Sequence, residues 1–487
     1  MMTNRRYLIF RVSIFINIAV LLYAAMHLSE RSLEFKYIVR EDLRNESYLS
    51  ARGYDDVTAA KTPSTMASTN RTTTSTMSIA EIEKKISILP SEAEATNETV
   101  LEIVDEDELS EATLQRLRVL LDCKDREFLP RTVQRGAYWV LENFVRADHG
   151  AIPCHETITY TSHAGYEFLD NVLPLIERWP NPVSLAIHAP GTDFQPALDS
   201  IRYLRDCTGG DLIRQYVTFH IFFSPKHIPS QIPSPEQFLQ KPYNCPEQPP
   251  YANVTTTFKK EKNLLYPVNV ARNIARDSAL THFILAADIE LYPSRNLVPR
   301  FLNMIARNAK PLNTSKNPRV FPLSLFEVEA SVQVPSTKTE LQKMLAKKEA
   351  IPFHKFVCPT CHNIPKAKEW MKAKETNQME VFHVGKRSGN YKHWEPIYIG
   401  TNHDPFYDEI LSWDGKMDKM TQGYILCVRN YDFMILNNAF LIHKPGIKRY
   451  VKDPKRDKIA GKQAHLIKKE IMPQFEKLFG TRPGCML

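Results

Sequence analysis

The stretch HFILAADIELYPS, residues 282–294, sets the expected fold of this 487-residue chain. Its first six residues are a short apolar run, which is typical of a strand buried on both faces. Asp288 and Glu290 follow that run directly. In an open α/β sheet these acids would lie at the carboxyl edge, where such sheets bind ligands.

Strand-like and helix-like runs alternate on both sides of this stretch, which predicts a parallel α/β sheet. The predicted strands are 157–162, 183–188, 216–223 and 282–287. The predicted helices are 165–178, which Pro174 would kink or end, 193–207, 266–280 and 297–309. A Lys-rich helix that covers the domain is expected in the last 40 residues.

The N-terminal part does not have the composition of a globular domain. Residues 7–26 are a long apolar run preceded by Arg5 and Arg6, which predicts an uncleaved transmembrane signal anchor with a luminal remainder. A cleaved signal peptide is the alternative. Residues 58–78 contain 12 Ser or Thr among 21 residues, and an acidic run follows, which predicts a disordered stalk. The expected organisation is a cytoplasmic tail 1–6, an anchor 7–26, a stalk 27–115 and a luminal head 116–487.

Composition narrows the classes of function. Hydrophobic residues make up 43% of the chain and charged residues 24%, enough for a sizeable core, and 16 Gly are too few for collagen. The net charge of +8 is dispersed, so no nucleic-acid partner is expected. N-glycosylation acceptor tripeptides agree with a luminal head, and they begin at Asn45, Asn70, Asn97, Asn253 and Asn313.

All eight cysteines lie in the predicted head, where a luminal setting permits disulfides. Cys358-Pro-Thr-Cys361-His362 has the spacing of a c-type haem attachment motif, but nothing else in the chain indicates an electron carrier. A zinc site would need a second cysteine pair with suitable spacing, which the sequence lacks. We therefore expect Cys358 and Cys361 in disulfides, joined either to each other or to other cysteines.

The acids at 288 and 290 are candidate metal ligands. Two carboxylates at a sheet edge can hold a hard divalent cation that neutralises a diphosphate, as nucleotide-sugar transferases require. His443 follows an apolar run and could supply a third ligand for Mn²⁺ beside Asp288 and Glu290. Solvated acids at a strand end and a structural histidine are the plainer interpretations.

The helix before this stretch carries a polar row at three- and four-residue spacing. Its members, with Lys444, are candidate contacts to a diphosphate or ribose: Asn269, Arg272, Asn273, Arg276 and Lys444. A surface helix with scattered polar residues is the alternative.

Residues 394–419 are rich in acids and aromatics. A transferase that inverts the sugar needs a carboxylate to take the proton of the acceptor hydroxyl, and Glu395 and Asp408 are the candidates. The aromatic side chains that could stack on sugar rings are Trp394, Tyr398, Phe406, Tyr407 and Trp413. An exposed loop with buried aromatic anchors would have the same composition.

Seven motifs, in this order, resemble glycosyltransferase family 49, and within it the glucuronyltransferases that act on the α-dystroglycan glycan. A more distant resemblance is to the second catalytic domain of the LARGE polymerases. The motifs are CHETITYTSHAGYEFLDNVLPL (154–175), YPVNVARNIAR (266–276), FILAADIELYPS (283–294), HKFVCPTCHNIPKAKEW (354–370), WEPIYI (394–399), PFYDE (405–409) and YDFMILNNAFLIHK (431–444).

The resemblance implies a GT-A, Rossmann-like nucleotide-sugar transferase head, Mn²⁺, a UDP-sugar donor and type II Golgi membrane topology. It assigns Asp288 and Glu290 to the family's acidic metal motif, in which Glu290 replaces an aspartate, and His443 to its late histidine. Glu395 and Asp408 also match family positions. The chain departs from the family at Ile410-Leu411 and from there to Lys419.

Three hypotheses for function follow. The first is transfer of glucuronic acid from UDP-glucuronic acid to a glycan acceptor on a glycoprotein, such as a β-linked xylose. The second is transfer of another sugar by the same fold, such as N-acetylglucosamine to galactose. The third is an inactive head that binds glycans or partners, and association with other Golgi transferases is a further expectation. A glucuronyl donor would need a cation for its carboxylate, and the candidates are Arg272, Arg276, Lys386 and Arg387.

Overall fold

A computed structural model describes residues 106–208 and 211–487. The predicted tail 1–6, the anchor 7–26 and the stalk up to residue 105 lie outside these residues. Within the described part of the chain, no helix combines the length and the apolar character that a membrane span needs.

Two sheets form the framework of the described domain. One has ten strands in the order β1-β2-β5-β4-β3-β6-β12-β8-β13-β11, and the other has four in the order β10-β9-β14-β7. The strands are β1 Arg131–Arg135, β2 Tyr138–Val145, β3 Ile158–Ala164, β4 Val183–His188, β5 Val217–Phe223, β6 Phe283–Ala286, β7 Leu291–Pro293, β8 Arg319–Pro322, β9 Ser324–Val328, β10 Ala350–Pro352, β11 Val381–Gly385, β12 Tyr398–Thr401, β13 Asp432–Leu436 and β14 Phe440–His443.

Helices cover the sheets, and several short 3-10 turns join them. The α-helices are α1 Glu111–Leu121, α2 Val172–Ile176, α3 Phe194–Asp206, α4 Leu212–Tyr216, α5 Pro235–Leu239, α6 Phe258–Glu261, α7 Val268–Asp277, α8 Leu297–Arg307, α9 Lys338–Lys347, α10 Ala367–Lys372, α11 Met420–Val428, α12 Pro454–Leu466 and α13 Met472–Phe479. A π-helical turn at Ile467–Ile471 joins α12 to α13.

The alternating pattern is confirmed for the core of the large sheet. Strands β5, β4, β3 and β6 are mutually parallel neighbours, and β4 and β6 are the apolar runs that the sequence marks. The whole sheet is mixed rather than parallel, because β12 inserts antiparallel between β6 and β8. The strand β12 is supplied from more than a hundred residues further along the chain, which local patterning cannot reveal.

The predicted helix 165–178 is two shorter pieces, a 3-10 helix at Tyr166–Asn171 followed by α2. Pro174 lies in the first turn of α2, where its missing N–H leaves no helical hydrogen bond unmade. The predicted helices 193–207, 266–280 and 297–309 are confirmed as α3, α7 and α8, each slightly shorter than expected.

The domain begins before residue 116. Helix α1 packs on α8, and Leu117 is part of the main hydrophobic core. Asp107 and Glu106 form ion pairs with Arg300 and Arg307.

The C-terminal helices cover the domain as expected. Ile467, Ile471 and Phe475 are buried against Leu411 and Tyr424, and the other faces carry lysines. All eight cysteines are paired, and the predicted disulfide state of Cys358 and Cys361 is confirmed as a short loop between the two. The disulfides are Cys123–Cys154, Cys207–Cys245, Cys358–Cys361 and Cys427–Cys485.

Candidate active site

The predicted acids lie in the turn that leaves the carboxyl end of β6. The turn is fixed by hydrogen bonds, since the Ala287 N–H donates to the Thr161 carbonyl and the Tyr160 hydroxyl donates to the Asp288 carbonyl at 3.0 Å. The buried strand therefore holds Asp288 and Glu290 at the edge where ligands bind in open α/β sheets.

Glu290 directly precedes β7, and the pairing of β7 with β14 brings its side chain opposite His443. In the register of β7 and β14, His443 pairs with Leu291, and its Nε2 lies 3.7 Å from Glu290 Oε2. The contact with His443 lowers the pKa of the Glu290 carboxyl, and the Lys448 ammonium, 4.0 Å away, acts in the same direction.

The hydrogen bond made by Nδ1 of His443 shows which ring nitrogen carries a proton. Nδ1 lies 2.9 Å from the Lys444 carbonyl, which can only accept, so Nδ1 carries the proton. Nε2 of His443, which lies 3.7 Å from the Glu290 carboxylate, is then the ring nitrogen that can hold a second proton or a metal ion. Two electron-pair donors that face each other in this way need a cation between them, either a proton or a metal ion, and a backbone bond to the second ring nitrogen is how metal-binding histidines are oriented.

Asp288 belongs to a second set of contacts. Its Oδ1 lies 3.0 Å from Arg272 Nη2 and 3.3 Å from His163 Nε2, and its Oδ2 lies 3.9 Å from Lys419 Nζ. Burial acts to raise the pKa of the Asp288 carboxyl, but Lys419 and Arg272 hold it well below its usual range.

Of the three predicted metal ligands, Glu290 and His443 contact each other and Asp288 lies nearby with other partners, so the three do not form one compact cluster. Glu290 is close enough for the Asp288 charge to act on its pKa. Among residues 106–208 and 211–487, one group of three potential ligands has all its ligand atoms within 4.8 Å of one another, namely Cys123, Cys154 and His155. Its two cysteines are disulfide-bonded and cannot serve as thiolate ligands.

Asp418 and Lys419, which were not among the predicted site residues, complete the charged cluster around Asp288. Asp418 forms an ion pair with the buried Arg272, and Lys419 Nζ lies 3.5 Å from Asp418 Oδ2. Two cations and two carboxylates therefore balance one another at this edge. In the sequence these two residues are marked only as an Asp-Lys pair just before helix α11, in the segment that departs from the family pattern, and such a pair does not by itself indicate a site.

Glu395 joins this cluster electrostatically. Burial raises the pKa of its carboxyl to about 7, with repulsion from Asp418 adding to the shift and Lys419 opposing it. Its backbone is held by the neighbouring loop, since the Glu395 N–H donates to the Cys361 carbonyl at 2.8 Å and its carbonyl lies 3.2 Å from His362 Nδ1.

Asp408, the other candidate base, is placed differently. One of its carboxylate oxygens accepts the Ile410 N–H at 3.1 Å, which closes its own turn. Lys419 lowers the pKa of Glu395 and also lies beside Asp288. Because this ammonium group connects Glu395 with the acidic turn, Glu395 is favoured over Asp408 as the base.

The polar row of α7 contacts protein, although the sequence suggested a ligand or solvent. Asn269, Arg272, Asn273 and Arg276 are all buried. Their side chains hold the segment 401–418 in place and are therefore occupied by protein rather than by a nucleotide-sugar donor, although Arg272 pairs with Asp288 as well as with Asp418. The hydrogen bonds run from Asn269 to the carbonyls of Asp408 and Asp418, from Asn273 to Tyr407, and from Arg276 to Thr401, Asp404 and Pro405.

The remaining predicted cations also have protein partners. Lys386 forms an ion pair with Asp432 at 2.6 Å, and Arg387 is buried with its Nε donating to the Trp394 carbonyl. Lys444 contacts Asp170 at 2.5 Å at the rim. Of the four cations suggested for a glucuronyl carboxylate, Arg272 is the one that lies beside the acidic turn.

An α/β domain with a parallel core, and with acids, a histidine and buried cations gathered at the carboxyl edge of a central strand, is consistent with a GT-A-like glycosyltransferase. The chain belongs to the glycosyltransferase family described as "Glycosyl-transferase for dystroglycan", whose family model matches residues 157–480. The family resemblance drawn from the seven motifs is thereby confirmed.

Similar proteins carry related names. The chain is 28% identical to β-1,4-glucuronyltransferase 1 of Danio rerio over 329 residues, which covers 63% of this chain and 72% of that protein. It is 24% identical to β-1,4-glucuronyltransferase 1 of Homo sapiens over 304 residues, 61% of this chain and 69% of that protein. It is 20% identical to xylosyl- and glucuronyltransferase LARGE1 of Mus musculus over 330 residues, 67% of this chain and 36% of that protein.

Proposed function

We propose that this protein transfers glucuronic acid from UDP-glucuronic acid to a glycan acceptor, with inversion at the anomeric carbon. The names of the similar proteins support the glucuronyl group, and the family supports transfer between sugars. The observation that carries the proposal is the edge of β6, where the Glu290–His443 pair adjoins the cluster of Asp288, Arg272 and Lys419.

The donor set at this edge fits a divalent cation such as Mn²⁺. Glu290 and His443 would hold it, with Asp288 as the neighbouring carboxylate. A carboxylate and a neutral imidazole are ligands that Mn²⁺ accepts, and the bound ion would neutralise charge on the donor diphosphate. Arg272 and Lys419 supply fixed positive charge on the same side, since both keep their protons in this cluster.

Glu395 is the proposed base. Its carboxylate takes the proton of the acceptor hydroxyl while that oxygen bonds to the anomeric carbon and the bond from this carbon to the diphosphate oxygen breaks. UDP leaves with the electron pair, and Glu395 holds the proton. A carboxyl with a pKa of about 7 is well matched to this task at neutral pH, because it is both ionised and basic enough to accept the proton.

We also propose the type II Golgi topology, with residues 7–26 as anchor and the domain in the lumen. Four disulfides support an oxidising compartment. Asn253 and Asn313, two of the glycosylation acceptors, are exposed. Protection of the domain from protease in intact Golgi vesicles is expected, and a main product secreted from near residue 27 would contradict the anchor.

The test is release of UDP by the full-length protein in detergent. UDP-glucuronic acid, UDP-N-acetylglucosamine, UDP-xylose and UDP-glucose are compared with Mn²⁺ or with excess EDTA, each with methyl β-xyloside and, separately, methyl β-galactoside as acceptor. Fastest turnover with UDP-glucuronic acid, lost in EDTA, is expected. Fastest turnover with UDP-N-acetylglucosamine would replace the proposed donor, and no release from any UDP-sugar would indicate an inactive binding domain.

A further inference from the structure

We propose that the indole of Trp413 is the platform on which the pyranose ring of the acceptor glycan stacks. The inference rests on the proposed function and assigns its acceptor subsite. Trp413 lies within the segment that departs from the family pattern, so this subsite belongs to this chain's own sequence.

Exposure separates Trp413 from the other aromatics of residues 394–413. Trp394, Tyr398 and Tyr407 are buried and form part of the core. Phe406 is half-buried, with the Arg276 guanidinium 4.9 Å from its ring centre. The side chain of Trp413 is 39% exposed, which leaves an aromatic surface for a ligand.

The indole lies one side chain away from the acidic turn. Lys419 Nζ is 5.8 Å from the centre of the Trp413 ring and 3.9 Å from Asp288 Oδ2, so a single ammonium group contacts both. Glu395 acts on the same ammonium, as shown by the effect of its charge on the pKa of Lys419. A sugar on the indole would therefore lie next to the Lys419 side chain that also contacts Asp288 at the donor edge.

The backbone that carries Trp413 is held rigidly, which lowers the entropy lost when a sugar binds. The Trp413 N–H donates to the Tyr266 carbonyl at 3.1 Å, and the Tyr266 N–H donates to the Asp414 carboxylate at 2.9 Å. Gln463 bonds both the N–H and the carbonyl of Ser412. A Cβ at Gly415 would lie 2.2 Å from the Gln463 amide, so a larger residue there would displace the side chain that bonds Ser412.

The exposed indole of Trp413 suits one face of a pyranose ring. The C–H groups on that face are apolar and carry partial positive charge, which matches the negative face of an aromatic ring. Two cations flank the indole, Lys419 and Arg456, whose guanidinium lies 5.8 Å from the ring centre. Arg456 is half-buried and can donate a hydrogen bond to a ring hydroxyl or pair with an acidic substituent on the sugar, whereas Lys419 is buried and already contacts Asp288 and Asp418.

The experiment compares Trp413→Ala and Trp413→Phe with Ile410→Ala. Ile410 is 53% exposed in the same segment and serves as the matched control. Full-length protein is assayed with UDP-glucuronic acid and methyl β-xyloside, and hydrolysis of the donor without acceptor is measured in parallel. The acceptor KM should rise about tenfold or more in Trp413→Ala and less in Trp413→Phe, with donor KM and donor hydrolysis unchanged.

An unchanged acceptor KM in Trp413→Ala, or a donor KM raised as much as the acceptor KM, would overturn the inference. No UDP release from the wild type would refute the proposed function separately. A second measurement then still decides the role of Trp413, because the other four tryptophans are buried or half-buried. Methyl β-xyloside should protect wild-type fluorescence from acrylamide quenching but leave Trp413→Phe unprotected, and equal quenching of the wild type with and without the xyloside would overturn it.

Discussion

The proposed base makes a sharp prediction about pH. If Glu395 must be ionised and its pKa is about 7, its ionised fraction is about one tenth at pH 6, half at pH 7 and nine tenths at pH 8. The rate kcat should therefore rise about tenfold between pH 6 and pH 8. A carboxyl with the ordinary pKa of 4.5 would be ionised throughout this range and would give a flat profile.

Two variants test the origin of the profile. Glu395→Gln keeps the shape but cannot accept a proton, so kcat should fall by about 10²–10⁴ while the donor KM changes little. Lys419→Met removes a charge that lowers the pKa of Glu395, so the midpoint should move to higher pH. Lys419→Arg keeps the charge and should leave the midpoint near 7.

The assay is UDP release at saturating donor and acceptor from pH 5.5 to pH 9, with thermal unfolding as a check that each variant is folded. Asp408→Asn is the matched control, because it removes the other candidate carboxylate. A flat profile between pH 6 and pH 8 would refute the reasoning for Glu395, as would loss of activity in Asp408→Asn together with an active Glu395→Gln.

Three further outcomes follow from the same contacts. Glu290→Gln should weaken Mn²⁺-dependent binding of UDP at least about tenfold in calorimetry, and unchanged affinity would remove Glu290 from the metal site. Replacing Cys358 and Cys361 together by Ser should lower kcat and shift its pH midpoint, because their loop holds the backbone of the proposed base. The same change at the disulfide Cys207–Cys245 is the control. Equal effects of the two changes on kcat and on the midpoint would show a general loss of structure. Asp418→Asn should lower the free energy of unfolding, measured in urea, by about 3–5 kcal/mol, since it leaves the buried Arg272 without one of its two carboxylates. A loss below about 1 kcal/mol would mean that Asp288 alone is enough to stabilise the Arg272 charge.

The sequence predicted the core of the fold because that core follows local patterns. The apolar runs of β4 and β6 and the amphipathic spacing of α3 and α8 are visible within single windows of the chain. The insertion of β12 between β6 and β8 is a long-range pairing, and nothing in a local window indicates it.

The candidate site was predictable in part for the same reason. Glu290 and His443 each follow an apolar strand, so their meeting at a sheet edge could be anticipated. Arg272 and Asp418 are 146 residues apart, and neither sequence environment indicates the other. The polar row on α7 could equally face solvent, a ligand or a loop, and only the folded structure shows that it anchors the segment 401–418.

The central claim is that the edge of β6 binds a metal ion and a nucleotide diphosphate. Its most direct test is a crystal of the protein soaked with MnCl₂ and UDP, with data collected at the manganese absorption edge. We expect one strong anomalous peak between the Glu290 carboxylate and His443 Nε2, with the UDP diphosphate beside it. No peak at this edge in a crystal that contains bound UDP, or a peak only elsewhere on the domain, would contradict it.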